Sequence, residues 1–169
     1  MTRLRFVFVF VILLTMYSST VVQAESVNDT GSLSFTIAGH EIRGQLLNST
    51  LSPNSVVTMS MNVDYAANTS LGQLTMKGSG NWYGKANGTS LQGVIYGVKG
   101  SVQICYVFYC GTALYVGYGI WNGAFRNSTF ATGTLQAVVI FTNSQIANIP
   151  LDRPMLISGT WNSTMLAES

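Results

Sequence analysis

Hydrophobic and polar residues alternate with a period of two along most of this chain. The clearest run is Ser55 to Ala66, where Val57, Met59, Met61, Val63 and Tyr65 are interleaved with Thr58, Ser60, Asn62 and Asp64. A helix would scatter those five apolar side chains around its axis, while a strand puts them on one face, so the period predicts a half-buried strand. Gly31 to Ala38 behaves alike, with Leu33, Phe35 and Ile37 against Ser32, Ser34 and Thr36. After a turn at Gly39-His40, Glu41 to Leu47 predicts a second short strand, and Asn48 to Asn54, with Pro53, a loop.

A glycine and tryptophan motif then occurs twice. Gly78-Ser79-Gly80-Asn81-Trp82-Tyr83-Gly84 returns 39 residues later as Gly117-Tyr118-Gly119-Ile120-Trp121-Asn122-Gly123, and Gly159-Thr160-Trp161-Asn162 is a partial third echo. Each full copy leads into an apolar run, Leu91 to Ile95 and Leu135 to Ile140. The pattern predicts a repeated two-strand unit. Glycine at alternate strand positions removes side chains from one face, at about 0.5 to 1 kcal/mol each. That loss is tolerable where a sheet bends, where another backbone comes close, or where a neighbouring ring covers the bare surface. Trp82 and Trp121 share the parity of those glycines, so their indoles are expected on the cleared face as core. A stacking platform for a ligand is the functional alternative for Trp82, Trp121 and Trp161.

Further strands are expected at Leu91 to Val98 and Ser101 to Phe108, divided near Lys99-Gly100, then at Thr112 to Phe125, Phe130 to Phe141 and Met155 to Trp161. Thr142 to Asn148 reads as loop, and Pro150 and Pro154 bracket a connecting segment. The fold class is all-β, an antiparallel sandwich or meander barrel of about 8–10 strands.

Composition changes this picture through the ends of the chain. Arg3 and Arg5 precede the apolar run Phe6 to Met16, and Val22-Gln23-Ala24 supplies small residues for cleavage, so residues 1–24 are expected to be a secretory signal peptide. Residues 25–169 then form one all-β domain, in which 25–38 is an N-terminal strand that either pairs within its own subunit or is donated to a neighbour. No later run predicts a membrane span. Loss of the leader removes two of eight basic residues and leaves six against six acids, a net charge of zero, so no basic surface remains for nucleic acid.

Charged residues make up only 8% of the chain, far below the usual quarter. Six sequons, at Asn28, Asn48, Asn68, Asn87, Asn127 and Asn162, offer N-linked glycans as a substitute hydrated coat. Behind a leader, Cys105 and Cys110 are expected to form a disulfide across a hairpin. The tip between them, Tyr106, Val107, Phe108 and Tyr109, is aromatic where tips are ordinarily polar, which makes it a candidate contact site.

Marks of chemistry are few. His40 is the single histidine, no Gly-x-Ser-x-Gly elbow occurs, and the six acids are scattered, so no catalytic residues, cofactor or metal ligands are assigned. The expectation is a non-enzymatic, secreted or cell-surface glycoprotein that self-associates or meets another surface protein, with filament or coat assembly by strand addition as its form. The alternative is a secreted β-barrel binding a small apolar ligand or a carbohydrate through Trp and Tyr residues.

Overall fold

The structure, a computed structural model, describes residues 29–164 except 38–39, 52–53, 70–71, 107–108, 129, 147–148 and 150. The predicted leader and Asn28 lie outside the described residues. Eight strands follow one another: β1 (Asp29–Ile37), β2 (His40–Thr50), β3 (Val56–Thr69), β4 (Gly72–Asn87), β5 (Ser90–Tyr106), β6 (Tyr109–Phe125), β7 (Phe130–Ser144) and β8 (Pro154–Thr164). Each pairs antiparallel with the next, and β1 pairs with β8, so the sheet closes into an up-and-down barrel. Of the two predicted architectures, the meander barrel is the one formed.

The first strand closes the barrel. Leu33 of β1 faces Gly44 on β2 and Trp161 on β8, so both edges of β1 are used within the same chain. Of its two expected placements, β1 here takes the one within its own subunit. A closed barrel has no open edge for a neighbour's strand to complete, because closure uses the backbone groups that an edge would present.

Period two sets which side chains fill the interior. Leu33 and Phe35 of β1, Ile42 and Leu46 of β2, Val57, Met59, Val63 and Tyr65 of β3, and Leu135, Ala137 and Val139 of β7 are all buried. Inserting one residue would send a whole strand's apolar set outward, so the register is strongly specified.

Several strands outrun the lengths read from the sequence. Lys99 and Gly100 do not divide two strands: Lys99 pairs with Ser79 and Val116, and Gly100 with Gly78 and Tyr115, inside one continuous β5. The irregularity falls earlier, where the register with β6 shifts between Ile95 and Val98 and Gly97 adopts φ 62°. That is a bulge, which sharpens twist without ending the strand. β2 likewise runs to Thr50 and β7 to Ser144, through residues expected to be loop.

The turns alternate between two ends. The β2–β3, β4–β5 and β6–β7 connections share one end with both chain termini of the barrel; the β1–β2, β3–β4, β5–β6 and β7–β8 connections share the other. Asn87 pairs with Ser90 around the two-residue loop Gly88-Thr89, with Gly88 at φ 59°, a value that tight hairpin turns need and glycine adopts without strain. The Gly88 N–H donates to Asn54 Oδ1 at 2.9 Å, which ties that hairpin to the β2–β3 connection.

Candidate functional site

The interior has two levels. Trp82 on β4, Trp121 on β6 and Trp161 on β8 point inward toward one another, with ring centroids 5.5 to 5.9 Å apart and exposures of 1 to 2%. Two of the three contacts are edge-to-face, the arrangement that aromatic quadrupoles favour. They form a solid floor in the half of the barrel nearer the chain termini. The core reading of these residues is the one the structure shows, and a carbohydrate stacked on an exposed indole has no platform here.

Glycines make room for two of these rings, and Trp121 and Trp161 each cover glycines of neighbouring strands rather than of their own motif. Gly84, Gly93 and Trp121 form one cross-strand row over β4, β5 and β6; Gly123, Gly133 and Trp161 form another over β6, β7 and β8. A Cβ at Gly84 would lie 2.6 Å from Trp121 Cζ2, and one at Gly133 would lie 2.6 Å from Trp161 Nε1. Trp161 Nε1 donates to the Asn122 carbonyl at 3.0 Å, while Trp82 Nε1 and Trp121 Nε1 are buried without an acceptor. Around the seam, Ser163 is opposite Gly31, which is opposite Leu46. The fully buried Ser163 hydroxyl donates to Ser49 Oγ at 3.0 Å.

Above the floor, toward the disulfide hairpin, lies a small chamber. Its space is about 30 Å³, room for a molecule the size of water, and its lining includes Phe35, Met61, Met76, Val98, Tyr115 and Ala137. Tyr115 is its one polar contributor, and it follows the same rule as the indoles: it covers Gly100 and Gly78 and donates its hydroxyl to the Lys77 carbonyl at 3.1 Å. Its ring meets Phe141 edge-on at 6.2 Å.

Burial pushes the Tyr115 phenol up to about 12 from its ordinary 10. Because the folded value lies above the unfolded one, the folded state holds the proton more tightly. The contribution is complete below pH 10 and is lost as pH rises through 12. A two-unit difference corresponds to about 3 kcal/mol. Chemical denaturation between pH 9 and 12 is expected to show this loss, and Tyr115→Phe is expected to flatten that part of the profile.

The predicted disulfide joins Cys105 of β5 to Cys110 of β6, which are directly paired in the ladder. Closing so short a loop is worth only about 2 kcal/mol, so the bridge shapes this end more than it holds the barrel. Tyr106 and Tyr109 beside it are 45% and 58% exposed, as a contact tip requires. Val107 and Phe108 lie outside the described residues. The Tyr109 hydroxyl donates to the Gln145 carbonyl at 3.1 Å, and Gln145 N–H donates to Thr112 O at 2.8 Å, pinning the β7–β8 connection to the hairpin.

Sequon asparagines sit mainly at the opposite end. Asn48, Asn87, Asn127 and Asn162 fall on or after the parts of β2, β4, β6 and β8 nearest the chain termini, and Asn68 falls at the hairpin end. All five are exposed. Among the described residues no group of three His, Cys, Asp or Glu could hold a metal ion, and no helix is long and apolar enough to cross a membrane.

Fold and interior together define an up-and-down β-barrel with a buried Trp and Tyr cluster. No family model, curated protein or solved structure matches the chain.

Proposed function

We propose that this chain is a secreted, N-glycosylated, non-enzymatic binding module whose barrel takes a small apolar ligand in the chamber between the indole floor and the disulfide hairpin. The observation that carries this reading is the chemistry of the chamber wall. It is hydrocarbon and thioether throughout, apart from one phenol that already has an acceptor in the Lys77 carbonyl. Such a wall shelters an uncharged molecule and offers no acid, base or nucleophile for turnover.

The resting space is far below the roughly 300 Å³ at which ordinary ligand pockets begin. Met61 and Met76 supply the adjustment. Each has three rotatable side-chain bonds and a polarisable sulfur, so these walls yield where the glycine-backed indoles do not. A carbohydrate, the other ligand class expected from the sequence, would have to use tyrosines outside the barrel.

The apolar leader, the disulfide and the exposed sequons support an extracellular location. The two Gly-x-Gly-x-Trp-x-Gly copies belong to this design as one two-strand unit used twice. Each copy places a tryptophan in the floor and a glycine beneath the next tryptophan.

The test is titration of the purified protein with N-phenyl-1-naphthylamine, read by naphthyl emission. Saturable one-site uptake is expected, several-fold weaker in Ala137→Val, which fills the chamber, and several-fold tighter in Val139→Ala, which enlarges it. No saturable uptake by the wild type or Val139→Ala, or uptake that neither substitution moves, would overturn the proposal.

A further inference from the structure

The outside of the barrel has two unlike walls. Over β1, β2 and β3 it is polar, with Thr36, Glu41, Arg43, Thr58, Asn62 and Asp64 exposed. Arg43 pairs with Glu41 at 3.3 Å, and Lys77 at the edge of this wall pairs with Asp64 at 3.8 Å.

Over β4 to β8 apolar rows run among polar residues such as Gln92, Gln136 and Ser158. Tyr83, Val94 and Ile120 stand side by side in one cross-strand row, Tyr118, Val138 and Leu156 in the next, and Val116 and Ile140 in a third. Tyr118 is 61%, Ile120 55% and Leu156 70% exposed, and Tyr96 beside the bulge is 49% exposed. Single exposed apolar residues are normal on a protein surface, but a continuous field across five strands marks an interaction surface.

The geometry points to a second copy of this chain as the occupant of that wall. A single partner reaches the part of this field on β6, β7 and β8, on the order of 500 Å², which fits a weak, reversible interface. The middle of the field is uncharged and tyrosine-bearing, with Lys99 opposite Val116 at its edge, so it holds no charge pattern to select an acidic or basic partner. A two-fold axis through such a patch sets like rows against like rows, which an uncharged strand face accommodates without opposing like charges.

A bilayer is the competing occupant. A barrel that crosses one needs an apolar belt all the way round and a polar interior. Here the belt stops at the ion-paired wall, and the interior is the apolar part.

The sequons at Asn87, Asn127 and Asn162 lie beyond one end of the field, and Asn87, four residues past Tyr83 on β4, comes nearest to it. Asn162 lies six residues beyond Leu156 along β8, about 20 Å at strand rise, and Asn127 lies seven beyond Ile120 in the β6–β7 turn. Glycans at that end would flank such a dimer without separating its halves.

The experiment is sedimentation equilibrium of the purified protein over a concentration series around 10 μM. A reversible dimer is expected. Tyr118→Lys with Leu156→Lys should weaken it at least tenfold, while Thr58→Lys with Asn62→Lys on the polar wall should leave it unchanged; all four positions are surface, and near-ultraviolet circular dichroism of the buried indoles checks the fold. A wild type that stays monomeric throughout the series, or a dimer that survives the Tyr118 and Leu156 pair, would overturn the inference. So would a monomer that floats with phosphatidylcholine vesicles, which would assign the wall to a lipid surface.

Discussion

Gly133→Ala is expected to lower the unfolding free energy by about 3 kcal/mol, although it adds one methyl group to an interior that is mostly hydrocarbon. The new Cβ would meet the Asn122 carbonyl and lie 2.6 Å from both Gly123 Cα and Trp161 Nε1. Two of those neighbours are backbone whose spacing is set by the β6–β7 ladder. The third is a ring held by its hydrogen bond and by two other indoles. Nothing in that set can move by a rotamer change, so the strain remains. Gly88→Ala provides the comparison. Its Cβ would meet nothing within 4 Å, and its cost is confined to the left-handed φ, about 1 kcal/mol. Urea denaturation of the two variants checks the difference.

Trp161→Ala is expected to cost about 4 kcal/mol, the ordinary range for removing a large ring from a core that collapses only partly. Phenylalanine separates the ring from its N–H. Trp161→Phe strips the Asn122 carbonyl of its donor, whereas Trp121→Phe removes a buried N–H that has no acceptor. Trp161→Phe should therefore be the more damaging by about 1 kcal/mol, the net value of one hydrogen bond. Equal losses would show that the Trp161 bond adds nothing in the folded state.

The same residues show how much the sequence discloses. Alternation in Val57 to Tyr65 depends only on the two-residue period of a strand, and those side chains are interior as expected. Cys105 and Cys110 were legible for a similar reason, since four intervening residues suit a hairpin and little else. What each indole would cover was not legible. Trp121 rests on Gly84 and Gly93, which lie 37 and 28 residues earlier, and that relation follows from the register of β4, β5 and β6 rather than from local spacing.

Barrel closure was hidden in the same way. The pairing of Gly31 with Ser163 joins the two ends of the described chain, and no local pattern announces it. Lys99-Gly100 misled because a charged residue followed by glycine ordinarily marks a turn. Here Gly100 is a strand residue left bare so that Tyr115 can lie across it. The two-walled exterior was partly visible in Val138 to Phe141, where apolar residues occupy both parities, and in Val116, Tyr118 and Ile120, which alternate with glycines. Alternation alone names the inward set and says nothing of what the outward set meets.

In the function proposed above, the indoles of the lower interior are a fixed floor and the chamber over them gives way to a ligand. The most direct measurement is nuclear magnetic resonance of one sample carrying labelled methionine methyls and indole nitrogens, titrated with N-phenyl-1-naphthylamine. Saturable shifts are expected at the Met61 and Met76 methyls, with the indole N–H signals of Trp82, Trp121 and Trp161 nearly still. Shifts centred on the indoles, or methionine signals that do not move at all, would contradict it.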